Sequence, residues 1–207
     1  MKTLICLVAL ATALTAKAQN TEAYQNFLPG GYPVSVVGFT FGTAGWSFQP
    51  LTDVSVTALG SFDDLVTGQG PIAVGLWTAD GTLLASHTIT SGSTLVNECR
   101  YEAIPAILLS SGQTYFVGAY VTAGDLMNFY VVGPDHGTVI MAPEIQLGMA
   151  AMSPAAGFNF PDSIENSSGY VFLAPNFEFQ PVPEPATFWL VGSGLLALLA
   201  TRRRCRF

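Results

Sequence analysis

The sequence predicts an all-β protein: a single antiparallel β-sandwich, jelly-roll-like, flanked by an N-terminal signal peptide and a C-terminal transmembrane helix. Three observations carry that expectation. Between the two ends, apolar and polar residues alternate in short runs, which is the period of a half-buried strand. Those runs are punctuated by turn formers drawn from 21 Gly and 13 Pro, and no helical period in the body outlasts two turns. Half the residues are hydrophobic and only 10% charged, with 14 Phe, 7 Tyr and 3 Trp, the balance of a packed body rather than a disordered chain. A chain of 207 residues can bury a core of its own without staples.

The first element reads MKTLICLVALATALTAKAQ. One lysine precedes an apolar stretch, and Ala16-Lys17-Ala18 gives the small-x-small pattern that precedes a cut. Residues 1–18 therefore read as a secretory signal peptide, cleaved between Ala18 and Gln19. Cys6 leaves with it and Cys205 lies beyond the C-terminal apolar run, so Cys99 is alone in the exported body. No internal disulfide can form there, and a lone cysteine of this kind behaves as a small core hydrophobe.

The body spans residues 19–180. In DVSVTALGSF the period of two places Val54, Val56, Ala58 and Phe62 on one face, with Ser55, Thr57 and Ser61 on the other. PIAVGLWTADGTLLASHTIT holds two runs around Asp80-Gly81, a hairpin signal because glycine tolerates positive φ. QTYFVGAYVT aligns Tyr115, Val117, Ala119 and Val121, and NFYVV, GYVFLA and NFEFQ complete a set of eight to eleven strands. Residues 134–169, rich in Met, Ala, Pro and Ser, read as a long excursion with one or two strands, a lid or an edge cover. A linker is expected over residues 180–185.

Charge is partitioned. Lys2 and Lys17 lie at one end and Arg202, Arg203, Arg204 and Arg206 at the other. Only Arg100 stands between them, one cation against all 14 acids, a net of −13. Such a body repels phosphate, which excludes nucleic acid as a partner.

The C-terminal element, residues 181–207, is PVPEPATFWLVGSGLLALLATRRRCRF. Residues 186–200 carry no charge and would make a helix about 22 Å long, short of the roughly 30 Å bilayer core. The helix, placed at about residues 186–201, is thus a marginal span, held with its arginines on the cytoplasmic side and the body outside. The prolines keep Glu184 extended above it. Pro183-Glu184-Pro185, a hydrophobic helix and the Arg202-Arg203-Arg204 stub, in that order at a C-terminus, closely resemble the PEP-CTERM sorting signal of Gram-negative bacteria. The resemblance implies processing by exosortase, a membrane-embedded cysteine transpeptidase-like enzyme, with Glu184 as a recognition residue. The bland alternative is a plain anchor whose prolines only break the helix. A looser resemblance runs over residues 34–180, through GWSF, VTALGSFDD, VGLWTADGTLLAS, YEAIPAILLSSGQTYFVGAY and APNFEF. It is to an uncharacterised extracellular β-module found in PEP-CTERM proteins, and it implies a sandwich and an extracellular setting without an activity.

Sites are sparse. His87 and His136, 49 positions apart, make no ligand-spaced cluster, so zinc is not expected. Calcium is the one cofactor the sequence leaves open, through Asp53, Asp63, Asp64 and Asp80 at strand ends and turns, where solvated turn aspartates are the competing reading. No nucleophile elbow, triad or favoured carboxylate pair emerges, so no enzyme is expected. Trp46 and Trp77, with Tyr101, Tyr115 and Tyr120, offer faces that could stack on sugar rings, or could pack in the core. Trp77 lies in an apolar strand, which favours the core, whereas Trp46 follows Gly45 near a turn.

The expectation is a non-enzymatic exported protein with exosortase as its processing partner and exopolysaccharide as a binding partner. It would pause at the inner membrane through its C-terminal helix and end at the cell surface or in the extracellular matrix of a biofilm. The alternative is a secreted carbohydrate-active enzyme or carbohydrate-binding module.

Overall fold

A computed structural model describes residues 19–27, 42–63, 71–121, 130–132, 139–165 and 171–182. Fifteen strands lie among the described residues. They begin with β1 (Thr21–Glu22), β2 (Tyr24–Phe27), β3 (Gly42–Pro50), β4 (Val54–Phe62) and β5 (Ile72–Thr78). Next come β6 (Leu83–Ile89), β7 (Thr94–Val96), β8 (Cys99–Leu109), β9 (Tyr115–Val121) and β10 (Tyr130–Val132). The last are β11 (Val139–Met141), β12 (Ile145–Ser153), β13 (Ser163–Glu165), β14 (Val171–Leu173) and β15 (Pro175–Pro181). The signal-peptide segment, the Pro-Glu-Pro motif, the apolar run and the arginine stub fall outside the described residues. No helix among the described residues is long and apolar enough to cross a membrane.

Two larger sheets form, one of five strands in the order β1-β15-β4-β8-β7 and one of six in the order β13-β12-β3-β9-β5-β6. Every pairing among the described residues is antiparallel, and the arrangement is that of a β-sandwich. Alternation explains the inner layer: Val54 and Val56 of β4, Val74 and Leu76 of β5, and Val117 and Ala119 of β9 are all fully buried in one core. Trp46 and Phe48 of β3 meet Phe177 of β15 in that core, with Phe48 and Phe177 ring centroids 4.7 Å apart.

The predicted single face of β4 breaks halfway. The register shifts between Val56 and Ala58 against both neighbouring strands. Beyond this bulge Leu59 is fully buried, and Phe62 is only half-buried. The Asp80-Gly81 hairpin forms as expected, with Gly81 at φ +85° and the Thr78 N–H donating to Thr82 O at 3.0 Å. The expected excursion over residues 134–169 contains more order than its composition suggested. Its β12 is a nine-residue strand lying inside the six-stranded sheet, between β13 and β3. Gly148 and a register shift between Leu147 and Ala150 interrupt the period that would have announced it. The expected linker also starts later, because Gln180 and Pro181 still pair with Ser55 and Val54.

Candidate functional site

The C-terminal exit from the sandwich is built by β15, which is held on both sides. Pro181 pairs with Val54 of β4, and Thr21 of β1 pairs with Phe179. Beyond the strand, the Val182 N–H donates to Asp53 O at 3.0 Å. The start of the body lies alongside: Gln180 Nε2 donates to Asn20 Oδ1 at 2.9 Å, and Asn20 Nδ2 donates to Glu178 Oε2 at 2.8 Å. The residues next to the expected signal cut and the residues next to the Pro-Glu-Pro motif therefore leave the fold side by side, at one end of the sheet. Asp53 fixes the neighbouring turn as well, its Oδ1 accepting from the Ser111 N–H at 2.8 Å. Pro183, Glu184 and Pro185 follow Val182 in sequence and lie outside the described residues.

The aromatic candidates do not offer free faces. Trp46 is fully buried; its Nε1–H donates to Pro175 O at 2.8 Å, and its ring stacks on Phe177 with centroids 5.9 Å apart. A sugar cannot reach it, and the reading of Trp46 as a stacking platform is corrected to core. Trp77 is buried too, on the other face of the six-stranded sheet with Phe116 and Ala151. Phe158, in the segment after β12, covers it with centroids 5.1 Å apart. The sequence suggested a lid or an edge cover here; Phe158 instead lies on the outer face of the sheet, over Trp77 of the interior strand β5. Tyr101 and Tyr115 are buried, and Tyr120 is half-buried.

The aspartates hold separate local duties. Asp53 and Asp63 stand at opposite ends of β4, a nine-residue strand and so roughly 30 Å apart. Asp63 pairs with Arg100 at 2.9 Å. Asp80 accepts hydrogen bonds from the Thr78 hydroxyl and the Thr82 N–H, and the Thr78 contact above all holds its carboxyl below the usual range. Asp64 lies outside the described residues. No three His, Cys, Asp or Glu side chains among the described residues come together around one ion, and Asp53, Asp63 and Asp80 stand apart from one another. His87 is exposed, and His136 lies outside the described residues.

Sequence reasoning missed a buried polar cluster. Glu22 accepts from Tyr101 Oη at 2.9 Å and from the amide of Asn97. Asn176 Nδ2 donates to Tyr101 Oη at 2.7 Å and to Tyr24 O at 3.2 Å, and it stands 3.6 Å from Cys99 Sγ. Asn97 reaches Glu22 because it occupies the left-handed region, φ 50°, in the two-residue turn between β7 and β8. Desolvation raises the Glu22 carboxyl above its ordinary value, against the hydrogen bonds from Tyr101 and Asn97 that lower it. Burial pushes the Cys99 thiol up to about 12 and the Tyr101 phenol well above its usual range. A thiol so placed is not a nucleophile at neutral pH. The cluster ties β1, β7, β8 and β15 together by satisfied polar contacts. Its only sequence signal was an acid, Glu22, two residues before a tyrosine at the start of the body, which is no pattern at all.

The last strand of the sandwich ends where a sorting signal begins in sequence: residues 181–204 match the PEP-CTERM protein-sorting motif, the mark of an exported PEP-CTERM protein. The body, residues 39–172, matches the family described as Domain of unknown function (DUF4082), and the chain belongs to that family. No curated protein matches it. Two solved particles of infectious bursal disease virus are similar at 13% and 14% identity, with TM-scores of 0.21 and 0.22. Each match covers 81% of this chain and 40% or 39% of the other, so the chain spans well under half of those proteins. Scores that low carry nothing about fold or function.

Proposed function

We propose that this is a non-enzymatic protein of the cell surface or extracellular matrix, exported through its signal peptide and held briefly in the inner membrane by residues 186–201. Exosortase recognises Pro183-Glu184-Pro185 and processes the tail, and the sandwich then serves in, or bound to, exopolysaccharide. The observation that carries the reading is the sorting motif at residues 181–204, beginning at the last residue of β15. β15 is paired with β4 along its whole length up to Pro181, so the motif that follows belongs in sequence to the tail and not to the sheet. The non-enzymatic part draws support from an unreactive buried thiol and from aspartates with separate structural tasks.

The test is fractionation of strains with and without the sorting enzyme. Processed, released protein is expected only where the enzyme is present, and identical size and location in both strains would refute sorting. Glu184→Ala should leave the chain with the membrane and abolish processing. Retention of the mature protein on gels cast with the host's own polysaccharide, against unretarded migration, decides the matrix role.

A further inference from the structure

We propose that the end of the sandwich from which both chain termini leave is a bilayer-facing surface, resting on the outer leaflet through Leu51 and Leu108. The proposal rests on the reading of residues 186–201 as a membrane helix.

Leu51 follows β3 in the turn to β4 and is 56% exposed; Leu108, paired with Ser55 near the end of β8, is 62% exposed. Val182 beyond β15 is 37% exposed, and Leu83, which opens β6 at the same end, is 46% exposed. The registers place them together: Leu109 and Pro181 both pair with Val54, while Pro50 precedes Leu51. Single exposed leucines are ordinary on a protein surface. Here they gather where the chain departs, and the departing chain says what covers them.

The uncharged run begins at Ala186, four residues past Val182. Four extended residues span at most about 14 Å. The headgroup layer takes up roughly 5–8 Å on each side of the hydrocarbon. A sandwich tethered that closely has this end at headgroup level, and the two prolines stiffen the tether against folding away. Before signal cleavage a second tether leaves beside the first, through Asn20. Asp53, Asp80 and Glu144 share this end and Arg100 lies at the other, so the contact is apolar rather than an attraction to anionic lipid.

The test uses the full chain with Cys6→Ser and Cys205→Ser, reconstituted in phosphatidylcholine vesicles. Single variants Leu51→Cys, Leu108→Cys, Leu95→Cys and Ile164→Cys carry a polarity-sensitive fluorophore. Cys99 stays unlabelled because it is buried. Leu95 and Ile164 are similarly exposed but sit toward the opposite end. Labels at 51 and 108 should shift to shorter wavelength and lose most of their emission to a quencher carried on the lipid chains. Labels at 95 and 164 should keep theirs, and high salt should change nothing. Absence of quenching at 51 and 108 in a chain that floats with the vesicles and resists carbonate extraction overturns the docking surface and leaves the membrane helix standing. A chain that does not stay with the vesicles overturns both. Quenching at 51 and 108 that needs added exosortase assigns the surface to the enzyme and overturns the lipid contact, as does equal quenching at all four positions.

Discussion

Glu22 is buried beside Glu178 and lies opposite Tyr101, and its environment penalises charge more than its hydrogen bonds reward it. A carboxyl whose folded pKa is raised binds its proton more tightly in the native state than in the unfolded one. The stability this confers is complete below the unfolded value and is lost as pH rises through the folded value. Glu22→Gln removes the charge while keeping the shape, with the Asn97 amide free to turn over. Urea midpoints should therefore show the variant gaining on the parent as pH climbs from about 4 to 7. Curves that stay parallel would mean that Glu22 is effectively solvated. Cys99 gives a second residue-scale expectation. With its thiol near 12, about 10⁻⁴ of it is thiolate at pH 8, so maleimide should label it only in denaturant. The place of Cys99 in the core was expected from the sequence and is what the structure shows, whereas the surroundings of Glu22 were not legible there. Glu22 and Tyr101 are 79 positions apart, and periodicity speaks only of neighbours along a strand.

At the scale of elements, β3, β9 and β5 carry a glycine row that explains how Trp77 is housed. Gly45 pairs with Gly118, and Gly118 pairs with Gly75, so three adjacent strands lack side chains along one line. The indole of Trp77 lies over Gly75 and Gly118, and Phe158 and Pro161 close over it. A Cβ on Gly75 would meet Trp77 Cη2 at 2.4 Å and Phe158 Cζ at 2.6 Å. Gly75→Ala should cost about 1–3 kcal/mol by overpacking and speed proteolysis in residues 154–162, the covering segment. Gly92→Ala, whose nearest neighbour is 3.7 Å away, should stay within about 0.5 kcal/mol. Thermal unfolding of the three chains side by side checks both figures. The strand pattern was readable wherever alternation was clean, as in β5, β6 and β9. It failed at β12, where Gly148 and a bulge interrupt the period. It also failed to place Trp46, because a tryptophan after a glycine reads alike at a rim and over a close-packed core. The sorting motif needed no fold to be read, being a local string.

For the whole molecule the decisive element is β15, which lies between β1 and β4 although it is nearly the last part of the body. The family match ends at residue 172, yet the sheet closes only with residues 175–181. Phe177 and Phe179 are both fully buried, and Asn176 anchors the polar cluster. Losing one buried phenylalanine costs about 3–5 kcal/mol, and a domain has about 5–15 kcal/mol in all. Removing β15 also strips β1 of its only partner among the described strands. A chain ending at Ala174 should therefore fail to fold, while one ending at Val182 should unfold cooperatively at the temperature of the full body. The expected processing falls on the safe side of that boundary, because the motif residues Pro183 to Pro185 lie past the last ladder bond. Scanning calorimetry of chains 19–174 and 19–182 decides it. A cooperative transition in the shorter chain would show that β15 belongs to the tail and not to the sandwich, and the close tethering of this end to the membrane would lose its structural basis.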